Sequence, residues 1–212
     1  GEQKMRNLDF KTHEPLSGEL VDRLLDCFRS CVVRNQLTEV RAGDERIFYF
    51  EKFIDKKDSD FLFDRHLHYC HSVGRVKPSY MTLMINRTWY DQSALGSGAG
   101  WHRDSGVRPQ HKTFSYLSDV SEDNGPFVIH DHSRYWLSLL DNSRVRQKDD
   151  FKLKIKSRDV IYKKIMGRRG YSFSCCTNFI HRGLPVVVGE RYMVTVYAWD
   201  KLPPEPFTSY FS

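Results

Sequence analysis

His102 and Asp104 stand two residues apart in Gly100-Trp101-His102-Arg103-Asp104-Ser105, and a further imidazole, His181, is followed ten residues later by Arg191. In an extended chain residues i and i+2 share a face, so an imidazole and a carboxylate can meet one metal ion without special backbone geometry. A second imidazole from another strand completes three ligands on one face of an octahedron. Three positions stay open, the arrangement that suits Fe(II) activating dioxygen. A guanidinium is a planar fork of donors that stays charged at working pH and grips a carboxylate through two parallel bonds. Arg191 therefore has the chemistry to hold the far carboxylate of 2-oxoglutarate.

The setting separates this pair from the other histidines, of which the chain has nine in all. Gly96, Gly98 and Gly100 lead into His102 as a loop entering a site would. After His181, Gly183-Leu-Pro is a turn, and a strand begins near Arg191. His130-Asp131-His132 offers a second alternating cluster but lacks a distal partner, so it reads as a loop or strand end that meets substrate or solvent. His66, His68 and His71 fall in a polar helical stretch between Asp58 and Gly74 and are expected on its solvated surface.

The elements that must position these groups read as a helical front and a sheet behind it. Leu20, Val21, Leu24, Leu25, Phe28, Cys31 and Val32 recur at helical spacing, with Ser17 or Gly18 after Pro15 as the start signal. From residue 80 onward strands accumulate: Tyr80 to Thr88, Lys112 to Val120, Pro126 to His130, Phe151 to Ile155, Tyr171 to Thr177 and Arg191 to Trp199. Many short strands parted by Gly, Pro and Asp turns predict a sandwich or jelly roll. The chain is mainly β with a helical N-terminal part: one domain over 1–212, with 1–78 as the front and 79–212 as the β core.

Composition agrees with one modest enzyme domain. The 212 residues are 40% hydrophobic and 14% aromatic, enough to bury a real core. No apolar stretch approaches the length of a spanning helix, and Gly1-Glu-Gln-Lys-Met5 lacks a signal-peptide pattern. Five cysteines, with Cys175 and Cys176 adjacent in an apolar strand, argue against a disulfide framework and for a reducing compartment, so a cytoplasmic location is expected. Cys27, Cys31 and Cys70 read as packing residues on helices, and the spacing gives no zinc pattern.

Four pieces in order carry a resemblance: Gly100-Trp-His-Arg-Asp-Ser105, Phe114-Ser-Tyr-Leu-Ser-Asp-Val120 with Glu122-Asp-Asn-Gly-Pro-Phe127, His181-Arg-Gly183, and Arg191-Tyr192. The chain resembles the phytanoyl-CoA dioxygenase-like branch of the Fe(II)/2-oxoglutarate-dependent oxygenases, and the strand leading to Asn-Gly-Pro is the most distinctive piece outside the ligands. The resemblance implies a double-stranded β-helix, two small sheets with the metal at the open end. It implies His102, Asp104 and His181 as iron ligands and Arg191 on the C5 carboxylate of 2-oxoglutarate. Fe(II), 2-oxoglutarate and O2 follow as cofactor and co-substrates, with C–H hydroxylation and release of succinate and CO2 as the default outcome. The family often has a small hydroxyl residue just after the distal histidine; position 183 is glycine here, and Thr195 is a substitute for it. A carboxylate at 104 argues against halogenation, since related halogenases put a small residue there.

The net charge of +6 is concentrated between Arg144 and Arg169, which hold eleven basic residues against three acidic ones. In Phe151-Lys-Leu-Lys-Ile-Lys156 the lysines alternate with apolar residues, so one strand face is basic. Either this is an edge strand guarded by lysine, or it attracts an anion such as an acyl-CoA, a sugar acid, a lipid-linked glycan or a charged membrane surface. Nucleic acid, and with it a demethylase, is set aside: Tyr162 is the only aromatic between Lys152 and Arg169, so no stacking platform forms. A different class remains, a cupin-like metal- or sugar-binding protein or isomerase without oxygenase turnover. Arg191 discriminates, because such a protein needs no fixed cation beyond the last ligand. The sequence names no substrate and no oligomeric state.

Overall fold

A computed structural model describes residues 9–96, 100, 102, 104, 110–130, 162–203, 207 and 209. The strand expected over Phe151–Ile155, Asp131-His132 and the basic segment up to residue 161 lie outside the described residues. The described elements are β1 (Lys11–His13), α1 (Gly18–Val33), β2 (Glu39–Arg41), β3 (Asp44–Phe48), α2 (Lys56–Tyr69), β4 (Tyr80–Trp89), β5 (His111–Tyr116), β6 (Phe127–His130), β7 (Tyr162–Ile165), β8 (Ser172–Cys176), β9 (His181–Gly183) and β10 (Glu190–Trp199). A π-helical turn, Cys70–Gly74, closes α2.

Two antiparallel sheets face each other. The larger has the order β1-β8-β5-β10-β4-β3-β2, the smaller β7-β6-β9. This is the mainly β jelly roll expected, but its sheets are unequal, seven strands against three. The front before residue 79 is also not helical alone, since it supplies β1, β2 and β3 to the large sheet. These strands are short, and β3 reads Asp-Glu-Arg-Ile-Phe, a charged run without an apolar alternation. Its charges can be buried because they satisfy one another: Arg46 donates to Asp44, and so does Asn86 Nδ2 at 3.0 Å.

The two faces of the large sheet have separate duties. Leu83, Ile85, Val194 and Val196 point outward and form one core with Leu20, Val21, Leu24, Leu25 and Phe28 of α1. The amphipathic period of α1 supplies that stripe, and Ser17 caps the helix by accepting from the Leu20 amide at 3.2 Å. Phe114, Tyr116, Phe173, Cys175 and Met193 point inward and meet Phe127, Ile129 and Ile165 of the small sheet. Tyr116 ties the sheets together: its hydroxyl donates to the Ile165 carbonyl at 2.6 Å and accepts from the Phe127 amide at 3.1 Å.

Candidate metal centre and its anion pocket

His102 lies beside β9, bridged to His181 by reciprocal backbone hydrogen bonds of 3.1 and 3.0 Å. The Asp104 amide donates to the Thr177 carbonyl at 3.2 Å. This pairing, not sequence proximity, sets the distal histidine against the His-x-Asp segment. The three side chains offer donor atoms that all lie within 4.8 Å of one another. His102 Nε2 is 3.6 Å and His181 Nε2 is 3.5 Å from the Asp104 carboxylate.

Both rings are fixed by the chain just upstream. His102 Nδ1 lies 2.8 Å from the Gly100 carbonyl and His181 Nδ1 lies 2.8 Å from the Phe179 carbonyl. A carbonyl only accepts, so each Nδ1 must carry the proton and each Nε2 presents a lone pair toward Asp104. That is the tautomer a metal needs. Burial pushes His181 down to about 3, which keeps it neutral at working pH. Burial opposes ionisation of Asp104, but the Lys112 ammonium beside it holds its carboxyl well below the usual carboxylate range. Two imidazoles and a carboxylate, with spacings near the ~3 Å that separates adjacent donors of a six-coordinate ion, fit a first-row divalent metal.

Arg191 is fully buried, yet among the described residues only one of its nitrogens finds a partner, donating to the Gly125 carbonyl. Its Nε and Nη2 have no hydrogen-bond partner there, and neither has the buried hydroxyl of Thr195, four residues further along β10 and on the same face. Buried donors left unpaired cost free energy, so this pair is suited to receive an anion. One cavity is lined by His102, His181, Gly183, Arg191 and Thr195, with Phe114, Phe127 and Met193 as apolar walls.

The structure thus gathers His102, Asp104 and His181, and it sets the two histidines in one cavity with Arg191 and Thr195. Two cations that the sequence reading missed line it as well. Lys112 Nζ is 2.7 Å from Asp104 and 3.8 Å from the centre of the Tyr197 ring; Asp104 raises its pKa against the opposing effect of burial. Arg46 enters from β3. For Lys112 a signal existed: it falls in phase with Phe114 and Tyr116, a charge on the buried face of a strand.

His66 is a correction. His68 and His71 are exposed as expected, but His66 is fully buried and its Nδ1 meets the Thr113 hydroxyl at 2.7 Å. It sits on the face of α2 that packs on β5, which a polar-looking helix concealed. Of the basic segment, Lys164 pairs with Glu122 and Arg169 with Asp22, so these two serve surface ion pairs.

No family model matches the chain, and no curated protein matches it. Solved structures do. The epimerase SnoN in complex with Fe3+, α-ketoglutarate and nogalamycin RO is 11% identical over 94% of this chain and 82% of its own, with a TM-score of 0.67. AviO1 from Streptomyces viridochromogenes Tue57 is 18% identical over 96% of both chains, with a TM-score of 0.62. A Pseudomonas putida prolyl-4-hydroxylase is 13% identical over 94% of this chain and 96% of its own, with a TM-score of 0.59. At such identities the likeness establishes the fold.

Proposed function

We propose that the protein is an Fe(II)/2-oxoglutarate-dependent dioxygenase, on the phytanoyl-CoA dioxygenase-like branch that its motifs resemble. The observation that carries this reading is the buried guanidinium of Arg191, two of whose nitrogens have no partner among the described residues, sharing one cavity with His102 and His181 of the triad. A metal-binding protein without a dicarboxylate co-substrate has no use for such a cation, which is why the cupin-like alternative ranks second. Two similar folds, SnoN and the prolyl-4-hydroxylase, are described as an α-ketoglutarate complex and a hydroxylase respectively.

In this reading His102, Asp104 and His181 hold Fe(II), and Arg191, with the Thr195 hydroxyl, receives the far carboxylate of 2-oxoglutarate. The bound metal and co-substrate supply, with O2, the oxidation of a substrate C–H bond, with release of succinate and CO2. The chain's own contribution is orientation and exclusion of water: Phe114, Phe127 and Met193 wall the cavity, and a low-dielectric wall strengthens the hold of Arg191 on its anion. Hydroxylation is the default outcome, with epimerisation, desaturation and ring formation as other uses of the same oxidant.

Anaerobic titration of the Fe(II)-loaded protein with 2-oxoglutarate tests this. The expected result is the weak visible charge-transfer band of the chelated co-substrate. Arg191→Ala should require more 2-oxoglutarate to reach it, and Asp104→Ala should lose it by failing to retain iron. Iron bound without any band would favour the cupin-like, non-oxygenase reading.

A further inference from the structure

We propose that Asp9, His111 and Cys176 form a second metal site, of the kind that takes zinc, on the face of the large sheet turned away from the His102 centre. Their donor atoms all lie within 4.8 Å of one another. His111 and Cys176 are directly opposed across β5 and β8. Asp9 leads into β1, which pairs with the other side of β8. Three neighbouring chain segments thus bring one donor each to a single row.

The alternation of the strands places this row. Lys112 and Cys175, the adjacent register pair, face the interior that holds Asp104. On the other face, the next row is hydroxyl and imidazole: Thr113 and Ser174 share a 2.5 Å hydrogen bond, and His13 Nε2 meets Ser174 at 2.6 Å. The His111 row is the one with metal-type donors.

The chemistry of the trio is specific. A thiolate and an imidazole select a borderline-soft ion over magnesium or calcium. One thiolate and one carboxylate on a dication leave no net charge, which lets the group sit in a buried place. Binding replaces the thiol proton of Cys176 with a sulfur–metal bond and releases that proton to solvent. Three protein donors leave a fourth position for water, and Asp9, the least buried of the three, provides its opening to solvent.

Among the described residues nothing else fully uses His111. It is almost completely buried; its Nε2 faces Asp9 at 3.1 Å and its Nδ1 has no hydrogen-bond partner. By contrast, both histidines of the His102 centre spend Nδ1 on a carbonyl. The surroundings hold the row in place. A side chain at Gly74 would come within 3.2 Å of the His111 ring, and the Tyr69 hydroxyl donates to the Asp9 carbonyl at 2.8 Å.

Cobalt substitution of the full chain tests the proposal, since only a cysteine ligand gives an intense thiolate-to-cobalt band in the near ultraviolet. The expected result is such a band in the wild type, abolished by Cys176→Ser and retained in Cys175→Ser. It should also persist in His181→Ala, which disables the other centre and so separates this proposal from the proposed oxygenase activity. His111→Asn, checked for folding by circular dichroism, should weaken zinc binding by more than about tenfold. A wild type without the band, or a band that survives Cys176→Ser, overturns the proposal.

Discussion

A cation buried beside a metal-type carboxylate shares that carboxylate with the metal. Lys112 stands 2.7 Å from Asp104 and is the more buried of the two. Removing one member of a buried ion pair leaves the other uncompensated, at a cost of about 3–5 kcal/mol. Lys112→Met should therefore lower the unfolding free energy of the metal-free protein, measured in urea, by an amount in that range. Mn(II), by supplying the missing positive charge, should restore more stability to the variant than it adds to the wild type. Denaturation curves with and without metal decide this, and equal gains would show that Lys112 and the metal do not act on the same charge.

At the scale of elements, the turn between β5 and β6 explains why Asn124-Gly125-Pro126 sits so far from the ligands yet bears on the site. Asn124 Nδ2 donates to the Val188 carbonyl at 2.8 Å, and the Asp123 carbonyl accepts from the Val187 and Val188 amides. The turn thereby grips the loop that leads into β10. Gly125 takes a φ of +70, a Cβ there would stand 2.5 Å from the Leu184 carbonyl oxygen, and its own carbonyl receives Arg191. Gly125→Ala should cost more than about 1 kcal/mol and raise the 2-oxoglutarate concentration for half-maximal binding, measured by the same anaerobic titration. In α1, Phe28 is buried against Leu24 and the edge of Tyr192, and Phe28→Ala should cost about 3–5 kcal/mol in chemical denaturation. Both features were legible in the sequence, as were β4, β5, β8 and β10, because long alternating or helical periods record burial directly. β1 to β3 were not, since a three-residue strand carries no period and the buried charges of β3 depend on partners far along the chain. His66 was hidden for a related reason: its burial rests on Thr113 of β5, which no local pattern around α2 reveals.

For the whole molecule, the polar layer between α2 and the large sheet makes folding depend on pH. Burial, aided by His111 and His13, pushes His66 down to about 3, and burial with Arg65 nearby pushes His13 down to about 4. Both rings take up a proton near pH 6.5 once the chain unfolds. Between these values the unfolded chain binds more protons than the folded one, so stability is full above pH 6.5 and falls as pH is lowered toward 4. Thermal melts from pH 7 to pH 4 should show that decline, and His66→Gln, which keeps a hydrogen-bonding side chain but cannot titrate, should flatten it. An unchanged slope in the variant would place the acid sensitivity elsewhere. The cavity at the other face rests on a sturdier device. His102 and His181 each give their Nδ1 proton to a peptide carbonyl two residues upstream. That oxygen belongs to the main chain and is present whatever side chain its residue carries, so the tautomer of each ring is insulated from genetic drift at neighbouring positions. The walls can be rewritten, and substrate preference with them, while the two nitrogens that face Asp104 keep their aim.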